Sequence, residues 1–100
     1  MVRIGLDVGA TKTVGLLCTE SGRVLHRVRQ KSAVKDPEQL YQDIRNLIQK
    51  LTGEAPERPA AACIGIAAFV DHATGHIHYA PNLQVENVPL GHRLQRDLEI

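Results

Sequence analysis

Apolar side chains occupy every second position at the start of the chain. Val2, Ile4, Leu6 and Val8 alternate with Arg3, Gly5 and Asp7. A period of two predicts a strand with one apolar face. The alternation resumes at Val14, Leu16 and Cys18 beyond a break at Gly9. Residues 2–8 and 12–19 are therefore expected to form a hairpin. Glu20-Ser21-Gly22-Arg23 reads as a turn. Val24, His26 and Val28 then alternate with Leu25, Arg27 and Arg29, which predicts a third strand and an antiparallel meander.

The period changes after Lys35. Asp36-Pro37-Glu38-Gln39 carries a capping aspartate, a proline suited to the first helical position and a capping-box spacing. Leu40, Ile44, Leu47, Ile48 and Leu51 then fall on one stripe of an amphipathic helix. Gly53 is expected to stop it. After a polar link over residues 54–59, Ala60 to Ala68 is apolar without alternation. Such a run suits a central strand covered on both faces, parallel to one already laid down. Asp71-His72-Ala73-Thr74-Gly75 reads as a turn, with Asp71 its former. Pro89 opens a final helix bearing Leu90, Leu94 and Leu98, with Arg93, Arg96 and Asp97 expected to point elsewhere.

Composition narrows the function classes little. The chain has 100 residues, 43% hydrophobic and 23% charged, with a net charge of +1. That allows one small domain and gives no bulk attraction to nucleic acid or membrane. No apolar run approaches the ~20 residues needed to span a bilayer, and no signal-peptide pattern is present, so a cytoplasmic location is the expectation. Arg23, Arg27, Arg29, Lys31 and Lys35 form a basic run without an intervening acid. An edge strand protected by charge accounts for it better than a nucleic-acid patch, because no aromatic residue interleaves it. Cys18 and Cys63 lie in apolar strand patterns and read as buried free thiols. His76 and His78 share a strand face with His72 nearby, a weak metal signal without a Cys-x-x-Cys.

The candidate chemistry sits at the hairpin tip. Gly9 can take φ > 0 and allows close approach to the backbone, so neighbouring amides could face an anion. Asp7 could hold a hydrated Mg²⁺, and Lys12 or the Thr11 hydroxyl could touch a phosphate. A tight hairpin with glycine in its turn explains the same residues.

Strand, Asp7-x-Gly9-x-Thr11-Lys12, strand resembles the first phosphate loop of the sugar kinase/hsp70/actin superfamily. Ile4 to Thr13 is most similar to the version in the ROK family of repressors, open reading frames and sugar kinases. A second block is similar to the same family: Ile64 to Asp71, Thr74-Gly75, Tyr79-Ala80-Pro81-Asn82-Leu83 and Val88-Pro89-Leu90. The two blocks cover most of the chain in the family's order. Gly9-Ala10 stands where the family usually has two glycines. Ala67, Ala68 and Phe69 replace its glycine-rich backbone beside the sugar, where a Cβ is expected to crowd the cleft.

The resemblance implies an α/β fold: the N-terminal lobe of a ribonuclease H-like, actin-like ATPase domain. Its expected form is βββαβ with a β-hairpin and a short helix, incomplete over residues 1–100. It implies ATP and Mg²⁺ as cofactors, with Asp7, Gly9, Ala10, Thr11 and Lys12 binding the nucleotide and Asp7 the metal through water. It implies Gly65 and Asn82 at a small-molecule sugar. Taken by itself, Asn82 serves equally as a loop residue bonded to backbone. The family's catalytic aspartate, in an Asn-Asp pair after the next strand, has no match here, so no catalytic residue is assigned. A truncated gene or one piece of a longer protein is the expectation. The partner is then the remainder of the kinase, or another copy in a homo-oligomer. The parent would be a glucokinase-like hexose kinase. The alternatives are a non-catalytic sugar-binding or regulatory ROK module and a small interaction domain without ligand. Repressors of the family usually begin with a helix-turn-helix domain, whereas here a strand follows Met1.

Overall fold

The alternation of apolar residues sets the first layer. In the computed structural model, which describes residues 1–99, β1 (Val2–Val8), β2 (Lys12–Thr19) and β3 (Val24–Lys31) form an antiparallel meander. Val2, Ile4, Leu6 and Val8 are buried on one face, while Arg3 and Asp7 are exposed on the other. β3 lies at the edge of the sheet, as its basic run implies, and extends two residues past Arg29.

Helix α1 (Pro37–Glu54) covers the apolar face. The Asp36 carboxylate accepts a hydrogen bond from the Gln39 amide at 3.0 Å, and Pro37 occupies the first turn. Only half of the capping box forms, since the Gln39 side chain donates to Asp43 instead. The expected stripe is buried in full: Leu40, Ile44, Leu47, Ile48 and Leu51, joined by Tyr41. Each such side chain contributes about 1.5–3 kcal/mol by leaving water. Gly53 does not end the helix. It sits inside the last turn with open space around it, and the helix closes when the Ala55 amide donates to the Thr52 carbonyl.

β4 (Ala61–Ile66) pairs parallel to β1, as the crossover requires. The sheet order is β3-β2-β1-β4. β4 is thus an edge strand among the described residues, not a central one, and it is not covered on both faces. Ala61, Cys63 and Gly65 are exposed and only Ala62, Ile64 and Ile66 turn partly inward. The alternation is hidden in the sequence because the exposed positions are filled by small, weakly polar residues. The two thiols are free but not buried: Cys18 is half-buried and Cys63 exposed.

The chain then builds a second antiparallel sheet from β5 (Phe69–Asp71), β6 (His76–Ala80) and β7 (Val85–Val88). Asp71 forms the expected turn, its carboxylate accepting from Ala73 N–H and its carbonyl from Gly75 N–H. Helix α2 (Leu90–Leu98) packs Leu90 and Leu94 into the same core as α1. Arg93 and Asp97 do not point away. Arg93 lies 3.7 Å over the Tyr41 ring and pairs with Glu38, while the Tyr41 hydroxyl donates to Asp97. Burial, then the bond to Asp97, pushes the Tyr41 hydroxyl up to about 12.

Candidate functional site

The β1–β2 turn is short and internally tied. Gly9 N–H donates to the Lys12 carbonyl at 2.9 Å, and a Cβ on Gly9 would stand 2.9 Å from that oxygen. Glycine is required here for close approach. Positive φ is not the reason, because the glycines with positive φ are Gly22 and Gly75. The Gly9 amide is therefore occupied within the turn. Ala10, Thr11 and Lys12 are the exposed residues at the tip.

The turn is braced from β3. Ser32 N–H donates to the Thr11 carbonyl at 3.0 Å, and the buried Thr13 and Ser32 hydroxyls bond at 2.8 Å. Sequence reasoning missed this brace. Its signal is two hydroxyl residues that become neighbours only through strand pairing.

Register places the site residues. Asp7 opposes Val14 on β2 and Gly65 on β4. With one strand on either side, Asp7 projects from the outward face, opposite the helix. Asp7, Lys12 and Gly65 line one open groove of about 510 Å³, with Gly5, Leu6, Val14, Leu16, Arg27 and Cys63. That volume falls in the range of small-molecule clefts, ~300–1,000 Å³. Asp7 and Lys12 are both exposed. The ion pairs formed by the described residues lie elsewhere, at Met1–Glu57, Glu38–Arg93 and Arg96–Asp97. A carboxylate without a cationic partner, beside a lysine and a glycine without a side chain, suits a hydrated divalent cation with an anion alongside.

Sequence reasoning also missed Arg27 and Cys63. Both reach the groove through long-range register, Arg27 opposite Leu16 and Cys63 opposite Gly5. Asn82 is exposed in the turn between β6 and β7, outside the residues lining the groove. Its loop is held to the segment after β3, where Lys35 N–H donates to the Leu83 carbonyl. Ala67 and Phe69 are exposed, Phe69 at 68%. His76 and His78 pack with ring centroids 4.9 Å apart. Among the described residues no group of three or more His, Cys, Asp or Glu could hold a metal. No helix among them is long and apolar enough to cross a membrane.

Known proteins share this architecture and about a quarter of this sequence. A xylose repressor of Caldicellulosiruptor bescii is 28% identical over 101 residues, covering 97% of this chain and 25% of its own length. A ROK family glucokinase from Streptomyces griseus, solved with glucose and AMPPNP, superposes with a TM-score of 0.84 at 23% identity. That match covers 100% of this chain and 31% of the glucokinase. A ROK hexokinase from Thermus thermophilus gives 0.82 at 25% identity, covering 96% and 32%. The chain thus spans a quarter to a third of the length of these relatives. The fold is the N-terminal lobe of the ROK kinases. The ROK family model matches residues 3–100, and the chain belongs to the ROK family.

Proposed function

We propose that this chain is the N-terminal part of an ATP-dependent, glucokinase-like hexose kinase, and that its groove receives the nucleotide's phosphates. The observation that carries this reading is the convergence of Asp7, Lys12 and Gly65 on one open groove beside the β1–β2 turn. Bound Mg·ATP would supply the transferable phosphoryl group, its charge offset by the metal. The chain's own residues would do the positioning. The Asp7 carboxylate accepts hydrogen bonds from metal-bound water. The Lys12 ammonium and the Thr11 hydroxyl donate to phosphate oxygens. Gly9 and Ala10 keep the turn narrow enough for that approach. Gly65 leaves room for the sugar, and Asn82 both donates to and accepts from a hydroxyl. Phosphoryl transfer depends on holding donor and acceptor together. No residue among these 100 is assigned as the base on the sugar hydroxyl, and a polypeptide of these 100 residues alone is expected to turn over no ATP.

The test is ATP consumption by the intact protein with glucose or an N-acetylated hexosamine. Asp7→Ala is expected to lower kcat by roughly 100-fold. Undiminished turnover in that variant would overturn the assignment. A second reading, a sugar-sensing module without catalysis, draws on the likeness to the xylose repressor. Calorimetry separates the two. Saturable sugar binding without ATP turnover by the intact protein favours the sensor.

A further inference from the structure

The chain has one Phe, two Tyr and no Trp. Tyr41 is in the core, and the other two meet on the second sheet. Pairing sets Phe69 on β5 opposite Tyr79 on β6, and Tyr79 opposite Glu86 on β7. Directly paired residues share a face, so one row of phenyl, phenol and carboxylate crosses the whole sheet. All three are exposed, Phe69 at 68% and Tyr79 at 46%. A register shift beside Phe69 leaves His78 without a partner on β5, and His78 is exposed next to Tyr79. Cross-strand packing accounts for two aromatic residues side by side. It gives no reason for leaving both in water, where neither gains the free energy of burial.

We infer that this row is a docking platform for a neutral, extended glycan of the cellulose type, a chain of equatorially linked pyranose rings. Adjacent strands lie about 4.8 Å apart, close to the advance of one pyranose ring along such a chain. A glycan laid across the strands therefore meets Phe69, Tyr79 and Glu86 with successive rings, over roughly 10 Å. The axial C–H groups of each pyranose form an apolar face that covers an aromatic ring, whose π face carries negative charge. The Glu86 carboxylate and the Tyr79 hydroxyl accept from sugar hydroxyls. Charge sets the ligand's class. β5, β6 and β7 carry Asp71 and Glu86 but no lysine or arginine, so a phosphate or nucleic acid meets no opposite charge here. Neither Phe69 nor Tyr79 lines the groove beside the β1–β2 turn. The platform goes beyond the kinase reading and does not depend on it.

Calorimetry on the intact protein tests it, with cellobiose, cellotriose and cellohexaose as probes and maltohexaose as the curved, axially linked control. Affinity is expected to rise as far as cellotriose, whose rings span the row, and to level off beyond it. Phe69→Ala and Tyr79→Ala should each weaken cellohexaose binding about tenfold, whereas Phe69→Tyr should keep it within about twofold. Added salt should change little, since no charge is neutralised. Absence of cellohexaose binding, equal binding of maltohexaose or indifference to both alanine variants would each overturn the platform. Displacement of cellohexaose by glucose would overturn it too, by placing the glycan in the acceptor site of the kinase reading. So would a drop in oligomeric state of the alanine variants by light scattering, which would assign the row to a contact between copies. Loss of ATP turnover with cellohexaose binding intact would strike the kinase reading and leave the platform standing.

Discussion

Two glycines that look alike in the sequence have opposite roles. Gly53 lies on the exposed side of α1 with nothing near the place a Cβ would take. In a helix glycine costs about 0.5–1 kcal/mol relative to alanine. Gly53→Ala is therefore expected to raise the unfolding free energy by that increment and move the urea midpoint up accordingly, although the residue's position suggests a helix stop. Gly91 is the reverse case. A Cβ there would stand 2.4 Å from the Thr74 carbonyl oxygen and 2.9 Å from the Gly75 Cα. Both obstacles are backbone, and Gly91 N–H also donates to the Gly75 carbonyl. Gly91→Ala should lower stability by about 1–3 kcal/mol, as overpacking does. Urea titration of both variants checks the pair. Opposite signs are expected, and a shared sign would mean that α2 does not cross the β5–β6 turn at this spot.

Elements with a strong period were legible in the sequence, and those without one were not. β1 and α1 follow periods of two and of roughly 3.6, and the bounds of β1, β2 and α1 fall within a residue or two of expectation. But β2 buries Thr13, Gly15 and Leu17, while Val14, Leu16 and Cys18, its apolar alternation in the sequence, lie half-buried on the opposite face. β7 escaped because its buried residues, Val85 and Val88, have opposite parity. Asn87 adopts a positive φ of 55° and turns the strand over between them. The α1–α2 clasp escaped as well, since Glu38 and Arg93 are 55 residues apart. The hydrogen bonds from Arg93, then from Gln42, hold the Glu38 carboxyl down at about 2, against an ordinary 4.5. A depressed carboxylate pKa stabilises the fold above the unfolded value. That contribution fades as pH falls from about 4.5 to 2. Glu38→Gln should flatten the acid limb of the stability profile in this window. The effect is modest, because Glu38 is exposed and water screens the pair. Thermal melts from pH 5 to pH 2 would read the difference between the two proteins. Parallel curves would show that the clasp adds nothing.

At the scale of the whole molecule, the candidate site was legible where it lies within one hairpin and opaque where it depends on register. Asp7, Gly9 and Lys12 are close in sequence, whereas Gly65, Cys63 and Arg27 arrive through pairing with β1 and β2. The same pairing leaves β4 with an unpaired edge among the described residues. Beside that edge, Ala62, Ile64, Ile66, Val70, Leu90 and Leu94 line a groove of about 460 Å³. A free strand edge next to apolar surface is a template for another chain. A polypeptide of these 100 residues alone is therefore expected to self-associate as its concentration rises. Ala62→Lys should suppress this, because the aliphatic stem can lie along the groove while the ammonium stays in water and opposes edge pairing. Light scattering across a concentration series distinguishes the outcomes. A wild-type polypeptide that stays monomeric at high concentration would mean that the β4 edge is already protected by its own backbone geometry.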